Sequence, residues 1–192
     1  NSSAASDVYK RQGIPYPSKT HPYRYGTSGC VYTSGCGVCA SLMALRNSTT
    51  RVFNTRQWTH RCLGMGARAA EGTDMAVVAR YMKEKYGLDY AITTDMDRLV
   101  AHLKQGYKAI INVSGGGKML FSNSGHYVLA AGIDKNGNLI ILDPYWYDGK
   151  FTLTAARRKY TRVKNGREVY VRPADLKGDV LSLWPVSYTH LR

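Results

Sequence analysis

The sequence predicts an α+β fold, with helices first and an antiparallel β-sheet second. Apolar residues recur at helical spacing as far as Gly106 and at strand spacing beyond it. A tight-turn signal, Lys135-Asn-Gly-Asn138, joins two of the strand patterns into a hairpin. The chain has 192 residues, 44% of them hydrophobic, enough for one well-buried domain and short for two. No run approaches the ~18 apolar residues that a membrane span needs, so no span is expected.

Taken in order, residues 13–35 are rich in Gly, Pro, Ser, Thr and Tyr and read as extended chain and turns. A helix follows over residues 36–46, with Val38, Leu42 and Leu45 on one face, Cys39 and Met43 beside them, and Asn47-Ser48 as its stop. It is apolar over most of its circumference, as a buried helix is. Residues 54–62 form a short helix and residues 64–72 a loop. Met75, Val78, Ala79 and Met82 define an amphipathic helix capped by Thr73 or Asp74 and ended by Gly87. Met96, Leu99, Val100 and Leu103 repeat that spacing after Thr94 or Asp95, with Gly106 as the stop. Strands are expected over residues 108–114, 126–134, 139–143, 167–171 and 180–184. The Gly and Ser-rich residues 115–125 are expected to be a mobile loop.

Both ends read as foreign. Residues 2–12, "SSAASDVYKRQ", back-translate into the adapter and mosaic end of a transposase-based sequencing library, and "VSYTHLR", residues 186–192, into the reverse complement of that mosaic end. Residues 1–12 and 186–192 are therefore set aside as adapter-derived. Residues 13–185 are the expected native domain, an internal piece of a longer reading frame. Setting aside Lys10, Arg11 and Arg192 against Asp7, three positive charges and one negative, takes the formal charge from +14 to +12, which still draws anionic partners by long-range attraction without selecting among them. Arg157-Arg-Lys159 with Arg162, Lys164 and Arg167 is either a solvated basic face or a surface for an anionic polymer. Gly115-Gly-Gly-Lys118 lacks the Gly-Lys-Ser/Thr ending of a phosphate-binding loop. No specific nucleic-acid binding is predicted, and a monomer is expected.

Four cysteines, at 30, 36, 39 and 62, are too few for a disulfide scaffold. Cys36-Gly-Val-Cys39 admits three readings. A redox pair would normally follow a buried strand, and residues 26–35 do not read as one. A zinc site could draw on Cys30, Cys36, Cys39, Cys62 and His60, but only one close pair is present. A nucleophile at Cys36 would use the first turn of a helix, where the dipole and the backbone N–H groups stabilise a thiolate and an oxyanion. Gly35 and Gly37 would then leave room for a substrate backbone. That reading needs a base, and His126 is the candidate because it opens a strand after the flexible residues 122–125, with Gly125 next to it. A turn centred on Asn136-Gly137 puts His126 opposite about position 147, with Asp143 a few residues away and able, through a bulge or stagger, to hold the imidazole. Tyr145, Trp146 and Tyr147 would form an aromatic wall for substrate or pack into the core.

In their order and context these residues resemble the C39-like cysteine peptidases of the papain-like clan. "SGCGVCASLMAL" is similar to the nucleophile helix of that family, "EGTDMAVVARYMKEKYGL" to the helix after its Gly-Thr, and "SGHYVLAAGIDKNGNLIILDPY" to its histidine-to-aspartate hairpin. The resemblance implies a papain-like fold, with Cys36 as nucleophile, His126 as general base and acid, and Asp143 as orienter. Gly35, Gly37, Gly125, Tyr145 and Trp146 would line the substrate. No metal or other cofactor is implied. Together with the charge it implies a peptide or peptidoglycan substrate and action outside the cell at a bacterial wall, as in phage lysins, with an anionic wall polymer as a second partner. The chain departs from the family in having Gly37-Val38-Cys39 in place of Gly-Pro-Thr. It also carries Cys30 six residues before the nucleophile, where many relatives place an oxyanion-hole glutamine; residues 13–35 contain no Gln. A catalytically silent binding module for peptide or wall polymer is the alternative that this departure keeps open.

Overall fold

The computed structural model of the protein describes residues 12–188. Of the segments read as adapter-derived, residues 1–11 and 189–192 lie outside them. A single helical turn, α1 (Val31–Ser34), stands in the stretch expected to be extended, and α2 (Cys36–Ser48) starts directly after it, with Gly35 as its N-cap. In α3 (Thr55–Gly64) a capping box closes the first turn: Gln57 N donates to Asn54 Oδ1 at 2.8 Å and Asn54 N to Gln57 Oε1 at 2.9 Å. Asp74 rather than Thr73 caps α4 (Met75–Tyr86), and Asp95 rather than Thr94 caps α5 (Met96–Lys104); each carboxylate accepts two backbone N–H groups. Gly87 ends α4 in the left-handed region, at φ 70°, which costs glycine no Cβ clash.

Among the described residues seven antiparallel strands form one sheet: β1 (Leu88–Tyr90), β2 (Lys108–Val113), β3 (His126–Ile133), β4 (Leu139–Leu142), β5 (Thr161–Lys164), β6 (Glu168–Val171) and β7 (Val180–Tyr188). Their spatial order is β1-β7-β2-β3-β4-β6-β5. β7 is the last strand in sequence, yet it sits between β1 and β2. It runs past its expected end through Val186–Tyr188, residues of the segment read as adapter-derived. There it pairs Val186 with Lys108 and Tyr90, through backbone groups that any residue but proline supplies. The short β1 and β5 carry too few residues to show a period of two. Two short helices, α6 (Ala155–Tyr160) and α7 (Pro173–Leu176), fill the connections beside β5 and β6.

Alternation along the strands splits the core in two. Ile110 and Leu129 face α2, α3 and α4, with Leu42, Met43, Leu45, Trp58 and Met82 among the buried side chains. Ala109, Ile111, Val128 and Ala130 face the other way, onto Met96, Leu99 and Leu103 of α5 and onto Phe121 and Phe151. The helical half therefore packs on one face of the sheet, and α5 crosses to the opposite face. The expected helix-then-sheet order does not show that crossing. Burying α2 also requires a partner for Ser41: its hydroxyl donates to Val38 O at 3.0 Å and accepts from Trp58 Nε1 at 2.9 Å.

The β3–β4 hairpin turns where expected but in a different register. Asp134 Oδ1 accepts from Asn136 N and Asn138 N, and Gly137 takes φ 82°. Ile133 pairs with Leu139 and Gly132 with Ile140; a bulge then shifts the register, and Leu129 pairs with Leu142. Asp143 is thereby drawn toward the start of β3.

Residues 118–121, in the middle of the loop expected to be mobile, are pinned. The Asp179 carboxylate, 1% exposed, accepts from Lys118 N at 2.7 Å, Met119 N at 3.2 Å and Leu120 N at 2.9 Å. Leu120 and Phe121 are buried beneath. Asp179→Ala leaves three amides without their acceptor and is expected to lower stability in urea unfolding by about 2–4 kcal/mol. A loss under about 1 kcal/mol would mean that Leu120 and Phe121 hold the loop alone.

Candidate active site

Cys36 is the first residue of α2, and its half-buried thiol sits where first-turn N–H groups have no intrahelical acceptor. The tight approach of α1 fixes this start. Gly35 N donates to Val31 O at 2.8 Å, and a Cβ on Gly35 would lie 2.6 Å from that oxygen. A Cβ on Gly37 would lie 2.7 Å from Thr73 Cβ. Both glycines are buried, and contact with the protein's own chain already requires a glycine at each position. Gly125 is exposed, with open space where a Cβ would stand.

His126 opens β3 and is 5% exposed; Asp143 follows β4 and is 1% exposed. His126 Nε2 lies 2.7 Å from Asp143 Oδ1, and Cys36 is near enough to act on the same ring. The structure thus brings together Cys36, His126 and Asp143 from α2, β3 and the end of β4. Burial alone would pull the imidazole pKa down; the Asp143 charge and hydrogen bond, with Cys36 behind them, outweigh it and raise it to about 8. For Asp143 burial pushes upward, and the His126 and Lys150 charges and hydrogen bonds overcome it, holding the carboxyl well below the usual carboxylate range.

Lys150 escaped the sequence reading. It lies in a 3-10 turn, Lys150–Thr152, and is 2% exposed. Its ammonium donates to Asp143 Oδ2 at 2.6 Å and to Tyr145 O at 3.0 Å, and Tyr145 N donates back to Asp143 Oδ1 at 2.9 Å. Nothing in the sequence separates it from the other Lys and Arg residues of a chain that has 27, because its partner is set by the fold of residues 143–150.

The predicted aromatic wall divides. Tyr145 is exposed and meets Tyr32 of α1, hydroxyl to hydroxyl at 3.4 Å and ring to ring at 5.8 Å, spanning the helical half and the sheet. Tyr147 packs edge-on against Tyr145 at 5.7 Å. Trp146 turns inward onto Phe151, 5.7 Å between ring centroids, and joins the core under α5. Its place is core packing, because the turn after Asp143 sends alternate residues to opposite sides.

None of the four cysteines is in a disulfide. Cys39 is fully buried in the core between α2 and the sheet, and burial, with Cys39 beside it, pushes the Cys62 thiol up. Cys30, at the position of the expected glutamine, is buried with its sulfur 3.4 Å from Thr33 Oγ1. Among the described residues no group of three or more His, Cys, Asp or Glu side chains is placed to hold a metal ion, and no helix is long and apolar enough to cross a membrane.

Comparison with known proteins agrees with this architecture. The family model of the Peptidase_C39 like family matches residues 11–169. Among solved structures, the peptidase domain of Streptococcus ComA, described as a bi-functional ABC transporter involved in a quorum sensing pathway, is similar with a TM-score of 0.50 at 14% sequence identity. The match covers 80% of this chain and 91% of that one. At that identity the likeness shows the fold, and the fold is the expected α+β papain-like one. No curated protein matches.

The His126 shift predicts a pH dependence of stability. Its pKa in the folded protein, about 8, exceeds the ordinary ~6.5, so its contribution is full below pH ~6.5 and is lost as pH rises through about 8. Urea unfolding is expected to give a stability about 2 kcal/mol lower at pH 9 than at pH 6. In His126→Gln that difference should vanish; an equal slope in the variant would assign it to other groups.

Proposed function

The chain belongs to the Peptidase_C39 like family, and on that premise we propose that it is a cysteine peptidase in which Cys36, His126 and Asp143 hydrolyse an amide bond. The observation that carries the reading is one buried imidazole bonded through Nε2 to Asp143 at 2.7 Å and acted on by Cys36 at the start of α2. In this reading His126 takes the thiol proton, and the thiolate attacks the scissile carbonyl carbon. Negative charge developing on the carbonyl oxygen is met by N–H groups of the first turn of α2. As the C–N bond breaks, the imidazolium returns its proton to the leaving amine, which departs and leaves an acyl-Cys36 thioester. His126 then removes a proton from water; the hydroxide adds to the thioester, and collapse releases the acid and the Cys36 thiolate, reprotonated from His126. Asp143 holds the ring orientation and stabilises the imidazolium in both halves.

A peptide is the substrate class. The finer assignment, the peptide of a bacterial cell wall acted on outside the cell, rests on the strongly positive charge, which draws the enzyme to an anionic wall, and on Tyr32, Tyr145 and Tyr147 beside the site. We assign the catalytic unit to residues 13–185. The second reading, a silent binding module, is favoured by one observation, the buried Cys30 where a glutamine donor would stand. Loss of one oxyanion donor slows such reactions by roughly 10²–10³-fold, so a slow enzyme is the expected compromise.

Iodoacetamide at mildly acidic pH should alkylate Cys36 at least roughly tenfold faster than Cys30, Cys39 or Cys62. Cys36→Ala should reduce cleavage of peptide and peptidoglycan stem-peptide substrates by about 10⁴-fold or more. Equal labelling of the four thiols, or cleavage that survives in Cys36→Ala, would remove the peptidase reading; binding of wall peptide without turnover would establish the module.

A further inference from the structure

The reaction above uses one oxygen of Asp143. The other, Oδ2, accepts from Lys150 Nζ at 2.6 Å, on the side away from His126. Lysine is almost never fully buried unless paired, since an uncompensated interior ammonium loses its hydration. Lys150 is 2% exposed and lies among the rings of Tyr145, Tyr147 and Phe151, 5.2–5.9 Å from their centroids. Packing alone would be served there by methionine. What a lysine adds is a charge and two directed hydrogen bonds, and both end on the turn that carries Asp143.

We propose that Lys150 is a positioning residue of the Cys36–His126–Asp143 site, fixing the second oxygen of Asp143 and balancing its charge so that the imidazole is presented to Cys36. The inference rests on the peptidase reading for its catalytic meaning, though not for its test. When thiol and imidazole exchange their proton, Cys36⁻, His126⁺, Asp143⁻ and Lys150⁺ stand in a row alternating in sign and summing to zero. Without Lys150 the row carries a net negative charge away from water, and the Asp143–His126 pair binds its proton more tightly. The groups acting directly on His126 are Cys36 from α2 and Asp143 from the end of β4. Behind them stand Lys150, which acts through Asp143; Tyr145, tied to Tyr32; and Tyr127 of β3, on which the charges of Cys36 and Asp74 act. Lys150 also links the site to its rim, because its bond to Tyr145 O and the Tyr145 N bond to Asp143 close one ring of contacts around the residue that meets Tyr32.

The test reads the His126 ring proton by NMR titration in the full chain, for the wild type and for Lys150→Met, Lys150→Gln and Lys150→Arg, each checked for folding by thermal unfolding. In Met and Gln the midpoint is expected to move up by about one pH unit, and in Arg to stay near the wild-type value. Gln keeps a donor for Oδ2 without the charge, so it tests the charge even where Met fails to fold. The lower pH limb of Cys36 alkylation should move up with the midpoint. An unchanged or lowered midpoint in a folded neutral variant would overturn the proposal and reduce Lys150 to packing. If hydrolysis stands while the midpoint does not move, this inference falls alone. If the midpoint moves while Cys36 shows no selective reactivity, Lys150 keeps its place on Asp143 and the peptidase reading falls.

Discussion

The buried Asp143 carboxylate is the constraint on which the site depends. An anion at 1% exposure must be met by hydrogen bonds and by opposite charge, since its hydration is gone. Three donors converge on it: His126 Nε2, Tyr145 N and Lys150 Nζ. Each arrives by a different structural device. The bulge in β3 shifts the hairpin register, Pro144 and Tyr145 turn the chain directly after β4, and the 3-10 turn at Lys150–Thr152 brings an ammonium back seven residues later. Satisfying the carboxylate therefore shapes the end of the sheet, and the orientation of His126 toward α2 follows from it.

A second buried carboxylate plays the corresponding role on the loop before β3. Asp179 gathers three consecutive amides of residues 118–120 and, through its own carbonyl, Ser114 N at 2.7 Å. The chain leaving β2 is so held before it reaches His126. The loop is Gly-rich because of these close approaches, as a Cβ at Gly117 would run into the Asp179 carboxylate. Composition suggested mobility there; packing makes it a frame for the histidine. The opposing half is rigid for another reason, since α2 is buried on nearly all sides and its start is wedged between α1 and Thr73. Rigid elements on both sides can hold a thiol and an imidazole within hydrogen-bond reach.

Long elements were legible because many residues vote for them. The periodic runs of α2, α4 and α5 and the strands β2 and β3 stand where the spacing puts them, and β4 follows from the turn signal that opens it. Short pieces were not: α1, β1, β5, α6 and α7 carry three to six residues and owe their form to what they pack against. Of the residues expected at the site, Cys36, His126 and Asp143 meet, and Tyr145 stands beside them. Gly35 and Gly37 lie in close contact with α1 and Thr73, and Trp146 packs onto the core, contacts that a glycine or an aromatic in a sequence does not announce.

By itself the sequence determined what is local or patterned. It set the α+β order, the helix starts to within a residue, the hairpin turn at Asn136-Gly137, the separation of Cys36 from its fellow cysteines as the one at a helix start, and the pairing of that helix with a histidine-to-aspartate hairpin. Tertiary structure decided what depends on distance through space. It moved α5 to the far face of the sheet, set the bulge that draws Asp143 to His126, and buried Lys150 behind them. Spacing along a chain encodes periodicity and turn chemistry, whereas the compensation of a buried charge is settled only when segments far apart in sequence close around it and exclude water.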